Sequence, residues 1–556
     1  MNPIKNIISG GIKHLPFIIL LIAIGIYLGA KAIPENSWDG WRVGSAQALL
    51  SDKQWVNDDF LKNYLLFLPQ GYSKVIRYFD DPQLRQHARG IATGGFIGKR
   101  LYYTHYPSGY LLPTAFLMKM GVNNRFWFRF LEILFSLGAL AILYYIFLKI
   151  SNKLVAILGI LYYGASTLFL NYADTIANQP IDELLRFAII ALSLWLIKSG
   201  NKKLNYLIWA LYFVLSISSY DSTFFIFAWL VGLDLIILRK INFKKWVLLA
   251  SAPVIAFTIQ IFQNAWYLGW HDMFLDLMGT IKTQILGSRK DFFISHLQRL
   301  FDPFGWFFGV KWYLGILIAI IGIAAVKFIK KYWPNEITLD LKFLYLGFAA
   351  VFFHFLFFPS LFFYQARIIS IFGAFLVGIL TTHFFKIIRQ KNLIEISKNQ
   401  LTNTTIQRCI VVLGIFVLVL GLWFTQGKRT YAYTKNWPNN VWPAENINFD
   451  KKIKNLTSGD KVIFQMLGLD REVADSDRYP MAASEDEYYT GAPILGFTNT
   501  NDLVRDLNYL KNRSEFQFSA IIITDQKPIL EEIETKLKIK EPVSKIDNKF
   551  ILIIKQ

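Results

Sequence analysis

The sequence predicts a polytopic α-helical membrane protein of about eleven spans, with a small α/β domain at its C-terminal end. Three observations predict it. Apolar runs of about 17–22 residues recur along most of the chain, the length a ~30 Å hydrocarbon core requires. Lysine and arginine cluster in alternate gaps between those runs. From about residue 428 the pattern changes to short strand-like runs alternating with amphipathic helices. Hydrophobic residues make up 54% of the 556 positions and aromatic residues 17%, a composition suited to a lipid solvent.

The runs place spans at 15–33, 128–149, 154–170, 181–198, 204–218, 223–238, 246–263, 309–328, 342–358, 366–385 and 409–425. The formal net charge of +20 at first suggests nucleic acid, but its distribution argues otherwise. The basic groups are Lys149/Lys153, Lys198/Lys202/Lys203, Arg239/Lys240/Lys244/Lys245, Lys327/Lys330/Lys331 and Lys386/Arg389/Lys391. The intervening gaps, Asn171–Pro180 and Ser218–Ser222, carry neither Lys nor Arg. This is the positive-inside pattern of a cell-membrane protein, so no nucleic-acid partner is expected. Lys5 and Lys13 put the N-terminus in the cytoplasm, and an odd number of crossings puts the C-terminus outside. Ala30-Lys31-Ala32 resembles a signal-peptidase site, but the first span is expected to stay because candidate site residues follow it directly. The single cysteine, Cys409, lies inside an apolar run, which excludes a disulfide framework and a thiolate metal site.

Three regions fall outside the membrane: the first loop (34–127), residues 264–308, and everything from Gly427 onward. The expected division is a multi-span domain at 1–427 and an extracytoplasmic α/β domain at 428–556. In the first loop, Trp41–Leu50 reads as a short helix with Trp41, Ala48 and Leu49 turned to the membrane surface. Residues 109–120 are apolar but too short to span, which predicts a re-entrant or surface-lying segment. In the tail, KVIFQML, APILGF, SAIIITD and FILIIKQ read as strands. NDLVRDLNYLKNR and KPILEEIETKLK read as helices.

The candidate site begins at PENSWDGWR, residues 34–42. It sets Glu35 and Asp39 at the far end of the first span, beside indoles that prefer the lipid–water boundary. Asp39 and Glu35 read either as loop acids, with Asp39 capping the next helix, or as catalytic acids, one of them the general base for an acceptor hydroxyl. His105, in YTHYPSGY, is either a phosphate contact or proton shuttle, or an interface anchor. Arg125 and Arg129 open the second span; they either snorkel to headgroups or hold a phosphate with their planar forks. Arg367 is the analogous candidate at a later span. His354 is an intramembrane ionisable group, a functional candidate by default or a hydrogen-bonded packing residue. Asp174, Asp182, Glu183, Asp221, His271, Asp272 and Asp276 also fall on the outer side. Their oxygens would suit Mg²⁺ or Mn²⁺, but no spacing is diagnostic, so no metal site is assigned and no cofactor is required. The chain has no Walker loop, no GxGxxG after a strand, no HExxH and no CxxC pair, which argues against a nucleotide-driven pump.

These residues resemble the GT-C glycosyltransferases, which include the protein O-mannosyltransferases and the lipid A aminoarabinose transferases. The similarity covers the layout of residues 1–390. ENSWDGW resembles the first-loop acidic motif and implies that Asp39 is the catalytic base. THYPSGY resembles the His/Lys-Pro-Pro motif, with His105 and Pro107 in its first two places. RFWFRFLEILFSLGALAIL resembles the arginine-bearing start of the second span, with Arg129 the better match. Two departures stand out: Gly40 follows Asp39 where the family has a second acid, and Ser108 replaces the second proline. The resemblance implies a polyprenyl-phosphate sugar donor whose phosphate is held by Arg129 with Arg125 or Arg367. It implies inverting displacement by an acceptor hydroxyl that Asp39 activates. The acceptor would be a lipid, glycan or protein. The competing readings are a transporter or flippase of lipid-linked saccharides, and an assembly factor whose tail is the working part. Both should tolerate asparagine at position 39.

Overall fold

A computed structural model describes residues 3–68, 102–104, 106–281, 292–332, 340–358, 362–389, 403–436, 440–457, 460–466, 484–497, 499–511, 518–539 and 541–555. The chain divides into two compact units. The first comprises Met1–Pro34, Arg129–Phe257 and Arg289–Asn439; the second comprises Glu35–Phe128, Thr258–Ser288 and Asn440–Gln556.

Along the chain the helices are α1 (Pro3–Ala32), α2 (Arg42–Asp58), α3 (Leu112–Lys119), α4 (Arg125–Ile150), α5 (Lys153–Gly164), α6 (Thr167–Tyr172), α7 (Asn178–Ser199), α8 (Leu204–Ser218) and α9 (Thr223–Gly232). They continue as α10 (Phe243–Leu268), α11 (Trp270–Ile281), α12 (Phe292–Phe308), α13 (Trp312–Tyr332), α14 (Asp340–Phe357), α15 (Ser370–Arg389) and α16 (Asn403–Lys435). Among the described residues, 6 helical stretches are long and apolar enough to cross a membrane, and 4 shorter apolar helices accompany them. Most of the expected spans fall on helix, because uninterrupted apolar runs must satisfy every backbone N–H and C=O internally, but the one expected at 154–170 is broken at Ala165 and Ser166 into α5 and α6.

The first unit is helical throughout. The span at Phe363–Lys386 is its centre, 94% of its most apolar stretch being buried within the protein. It packs on α5 by close backbone approach. A Cβ added at Gly378 would stand 2.5 Å from the Val155 carbonyl, and one at Gly159 would stand 2.8 Å from that of Ala374. Small residues at such contacts let helices touch where lipid supplies no hydrophobic drive.

The second unit holds a sheet of β1 (Asp460–Met466), β2 (Ile494–Phe497), β3 (Phe518–Thr524), β4 (Ser544–Ile546) and β5 (Lys549–Lys555), ordered β2-β1-β3-β5-β4. The first three strands run parallel, and β5 closes antiparallel on β3. The helices of this part are α17 (Ala444–Lys454), α18 (Ser484–Thr490), α19 (Thr500–Lys511) and α20 (Lys527–Leu537). One face of the sheet buries Phe449, Ile453, Ile463, Ile521 and Ile551. The other face packs Val462, Phe464, Ile522 and Leu552 with Leu66, Leu68, Tyr102 and Tyr267. The first loop and the tail therefore share one core.

The first loop is built around α2, whose Ala48 and Leu49 are buried instead of facing a membrane surface. The physical reason is competition: the unit's own core removes these side chains from water. The segment at 109–120 forms a short turn and then α3, which turns Leu112, Phe116 and Met120 outward and Thr114 and Ala115 inward. Residues 264–308, expected as an outer loop, contribute α11 and α12.

Asp450 on α17 lies beside Asp486 on α18, whose carboxylate accepts from Trp442 Nε1 at 2.9 Å. Burial pushes the Asp450 carboxyl up to about 9, with the neighbouring Asp486 adding to the rise and Lys549 opposing it. A raised native value means the folded chain keeps a proton that the unfolded chain has released. Stability is therefore greatest below the ordinary aspartate pKa, near 4, and declines until pH passes about 9. The melting temperature of the second unit should fall on going from pH 5 to pH 9. Asp450→Asn should flatten that slope, as read by intrinsic tryptophan fluorescence.

Candidate active site

In the second unit, Asp39 is fully buried. Its Oδ1 accepts the Trp41 N–H at 2.8 Å, just ahead of α2. The loop that carries it is paired on its backbone: Trp38 N–H donates to the Asn440 carbonyl at 2.6 Å, and Trp442 N–H donates to the Asn36 carbonyl at 2.8 Å. Ser37 and Val441 are thus an antiparallel pair. Trp38 is buried with Ala46, Ile447 and Tyr489, which supplies the apolar packing beneath the loop. Glu35 differs from Asp39. Its carboxylate is 61% exposed and pairs with Lys451 at 2.7 Å.

Arg125, at the start of α4, is directed at this loop. Its Nη2 donates to the carbonyls of Ser37, at 2.8 Å, and of Glu35. Its Nη1 donates to Tyr489 Oη at 3.0 Å, and its guanidinium stands 4.0 Å from the Trp38 ring.

In the first unit, Asp174 gathers two cations. Its Oδ1 accepts from Lys31 Nζ at 2.7 Å, while its Oδ2 accepts from Arg129 through Nε at 3.0 Å and through Nη2. All three side chains are wholly buried. Burial works against the Asp174 carboxylate, but Arg129 and Lys31 together outweigh it and hold the acid below the usual range. Asp174 is thus the acid to which both cations donate.

Arg367 sits in a different balance. It pairs with Glu183, donates from Nε to Tyr163 Oη at 3.2 Å, and donates from Nη1 to the Tyr172 carbonyl at 3.2 Å. Beside it, Arg186 pairs with Asp182 at 2.7 Å and donates to Ser222 Oγ at 2.6 Å. Two arginines meet two acids, so the four side chains balance in charge, while Arg186 Nε and Asp182 Oδ1 make no hydrogen bond among the described residues.

The other expected residues are placed as follows. Asp221 accepts from Asn178 Nδ2 at 2.7 Å. Asp276 accepts from Thr104 Oγ1 at 2.6 Å. His354 is buried on α14. His105 lies outside the described residues, as do Arg85, His87 and Arg89. Among the described residues, no three of His, Cys, Asp and Glu gather where a metal would need them.

Lys31 was not singled out as a site residue from the sequence. A signal was present: a lysine at the outer end of an apolar span runs against the positive-inside pattern and so calls for a buried partner.

No family model and no curated protein matches the chain. Solved structures do. ArnT from Cupriavidus metallidurans bound to undecaprenyl phosphate superposes with a TM-score of 0.51 at 10% identity, over 97% of this chain and 98% of that one. Its apo form gives 0.49 at 10% identity, over 97% of each chain. The apo oligosaccharyltransferase of Archaeoglobus fulgidus gives 0.45 at 10% identity, over 95% of this chain and 69% of that one. This chain shares the fold of ArnT over almost its whole length.

Proposed function

We propose that the protein is a membrane glycosyltransferase that moves a sugar from a polyprenyl-phosphate donor to an acceptor hydroxyl on the outer face of the cell membrane. The observation that carries this reading is the buried Asp39 carboxylate, held just after the first span by a loop whose backbone pairs with residues 440–442. The fold shared with ArnT, whose structure holds undecaprenyl phosphate, supports the donor class.

Asp39 takes the proton of the acceptor hydroxyl as its oxygen attacks the anomeric carbon. The bond to the phosphate oxygen breaks from the opposite side, and the configuration inverts. The polyprenyl phosphate leaves as an anion, and Arg129 is the residue proposed to hold it. The neutral network around Arg367 makes it the weaker phosphate candidate and gives it a scaffolding role. The N-terminus is cytoplasmic in this reading. Residues 1–427 form the membrane domain, and 428–556 lie outside.

The test is labelling of an acceptor in membranes supplied with a radiolabelled polyprenyl-phosphate sugar pool, comparing wild type with Asp39→Asn at matched expression. Label that disappears in the variant supports the reading. Equal labelling removes Asp39 from the chemistry. Donor that crosses the bilayer without any labelling returns the transporter.

A further inference from the structure

Arg125 was expected as a phosphate ligand, yet its donors are spent elsewhere. Three hydrogen bonds go to the Glu35 carbonyl, the Ser37 carbonyl and Tyr489 Oη, and its face lies on Trp38. A guanidinium has five N–H donors in a fixed fork. One so engaged is poorly placed to grip a phosphate with two parallel bonds. The same loop is held from its other side by the tail. Residues 440–442 run antiparallel to 36–38, and Tyr489 Oη donates to the Glu35 carbonyl at 2.7 Å. Arg42, the first residue of α2, pairs with Glu485 and lies 4.9 Å from the Trp442 ring. Both ends of the Asp39 segment are therefore tied to α18 and to residues 440–442.

We propose that Arg125 is a positioning residue and that, with Tyr489 and residues 440–442, it forms a clamp fixing the loop that carries Asp39. The tail domain is then a structural part of the catalytic unit and not only an acceptor or partner module. The proposal rests on the reading of Asp39 as general base. A base must lie within hydrogen-bond reach of the hydroxyl it deprotonates, and a misplacement of 1 Å is enough to cost about 10²-fold. Lysine cannot replace the arginine, because a point ammonium lacks the fork that spans two carbonyls and a phenol.

The test uses the full-length protein with its one cysteine removed (Cys409→Ser). Arg125→Lys should lower kcat by about 10–100-fold with donor KM within about twofold, and Tyr489→Phe should lower it severalfold in the same way. Ser37 and Val441 form a pair flanked by hydrogen bonds between their neighbours. In this geometry Cα atoms stand about 4.5 Å apart, within the reach of a disulfide. Ser37→Cys with Val441→Cys, oxidised, should restore most of the kcat lost in Arg125→Lys, and dithiothreitol should abolish the rescue. A tether can replace a clamp but not a ligand. A rise in donor KM at retained kcat, or a kcat loss that the disulfide leaves untouched, overturns the proposal.

Amide hydrogen exchange over residues 35–39 gives a readout independent of turnover. It should quicken in Arg125→Lys and slow again in the oxidised pair even if Asp39→Asn proves fully active, which would sink the base reading alone. Unchanged exchange in Arg125→Lys overturns the clamp.

Discussion

Asp39→Asn is expected to lower sugar transfer by about 10²–10⁴-fold, the range by which a positioned general base accelerates proton removal. The substitution keeps size and shape. The asparagine Oδ1 can still accept the Trp41 N–H that Asp39 accepts at 2.8 Å, so the loop should stay in place and donor affinity should hold. What disappears is the basic oxygen. Measured as kcat and donor KM in reconstituted vesicles, the loss should therefore fall on kcat. Glu35→Gln is the control. Its carboxylate is largely exposed and paired with Lys451, and an exposed pair of this kind contributes about 0–1 kcal/mol. Transfer in that variant should stay within about twofold of wild type.

Asp174→Ala is expected to destabilise the first unit by about 3–5 kcal/mol, the cost of removing one partner from a buried ion pair. It removes from Lys31 and Arg129, both wholly buried, the carboxylate to which each donates. Monodisperse protein in detergent and its melting temperature should both drop sharply. Wild type should approach the same state in acid. A carboxylate held below its usual range contributes stability above the ordinary aspartate pKa, and loses it as pH falls through the lowered native value. Lys31→Met separates structure from function. It keeps the bond between Arg129 and Asp174, so folding should survive, while one cation is gone and donor KM should rise. A Lys31→Met protein with unchanged donor KM would remove this cluster from phosphate binding.

The helices were legible because their signal is local. A run of apolar residues in a bilayer has one way to satisfy its backbone, so periodicity and length placed helix across most of the expected spans, the turn at Ala165 and Ser166 being the break they did not show. The strands of the tail were legible for a similar reason: Val462–Phe464 and Ile521–Ile523 are short apolar runs with no other good use. Facing was less legible. Ala48 and Leu49 look equally suited to lipid and to a protein core, and the core took them.

Charged side chains divided in the same way. The sequence by itself determined that Asp39, Arg125, Arg129, Asp174 and Arg367 exist near the ends of spans, because hydropathy confines charge to those places. It could not determine which charge answers which, since partners such as Lys31 and Asp174 lie 143 positions apart. Only the tertiary structure decided that Arg129 shares its acid with a lysine, that Arg367 is neutralised by Glu183, and that Arg125 serves the backbone of the Asp39 loop. The physical reason is range. Hydrophobic burial and backbone satisfaction are written in neighbouring residues, whereas a buried charge is settled by whichever partner the fold brings within about 3 Å.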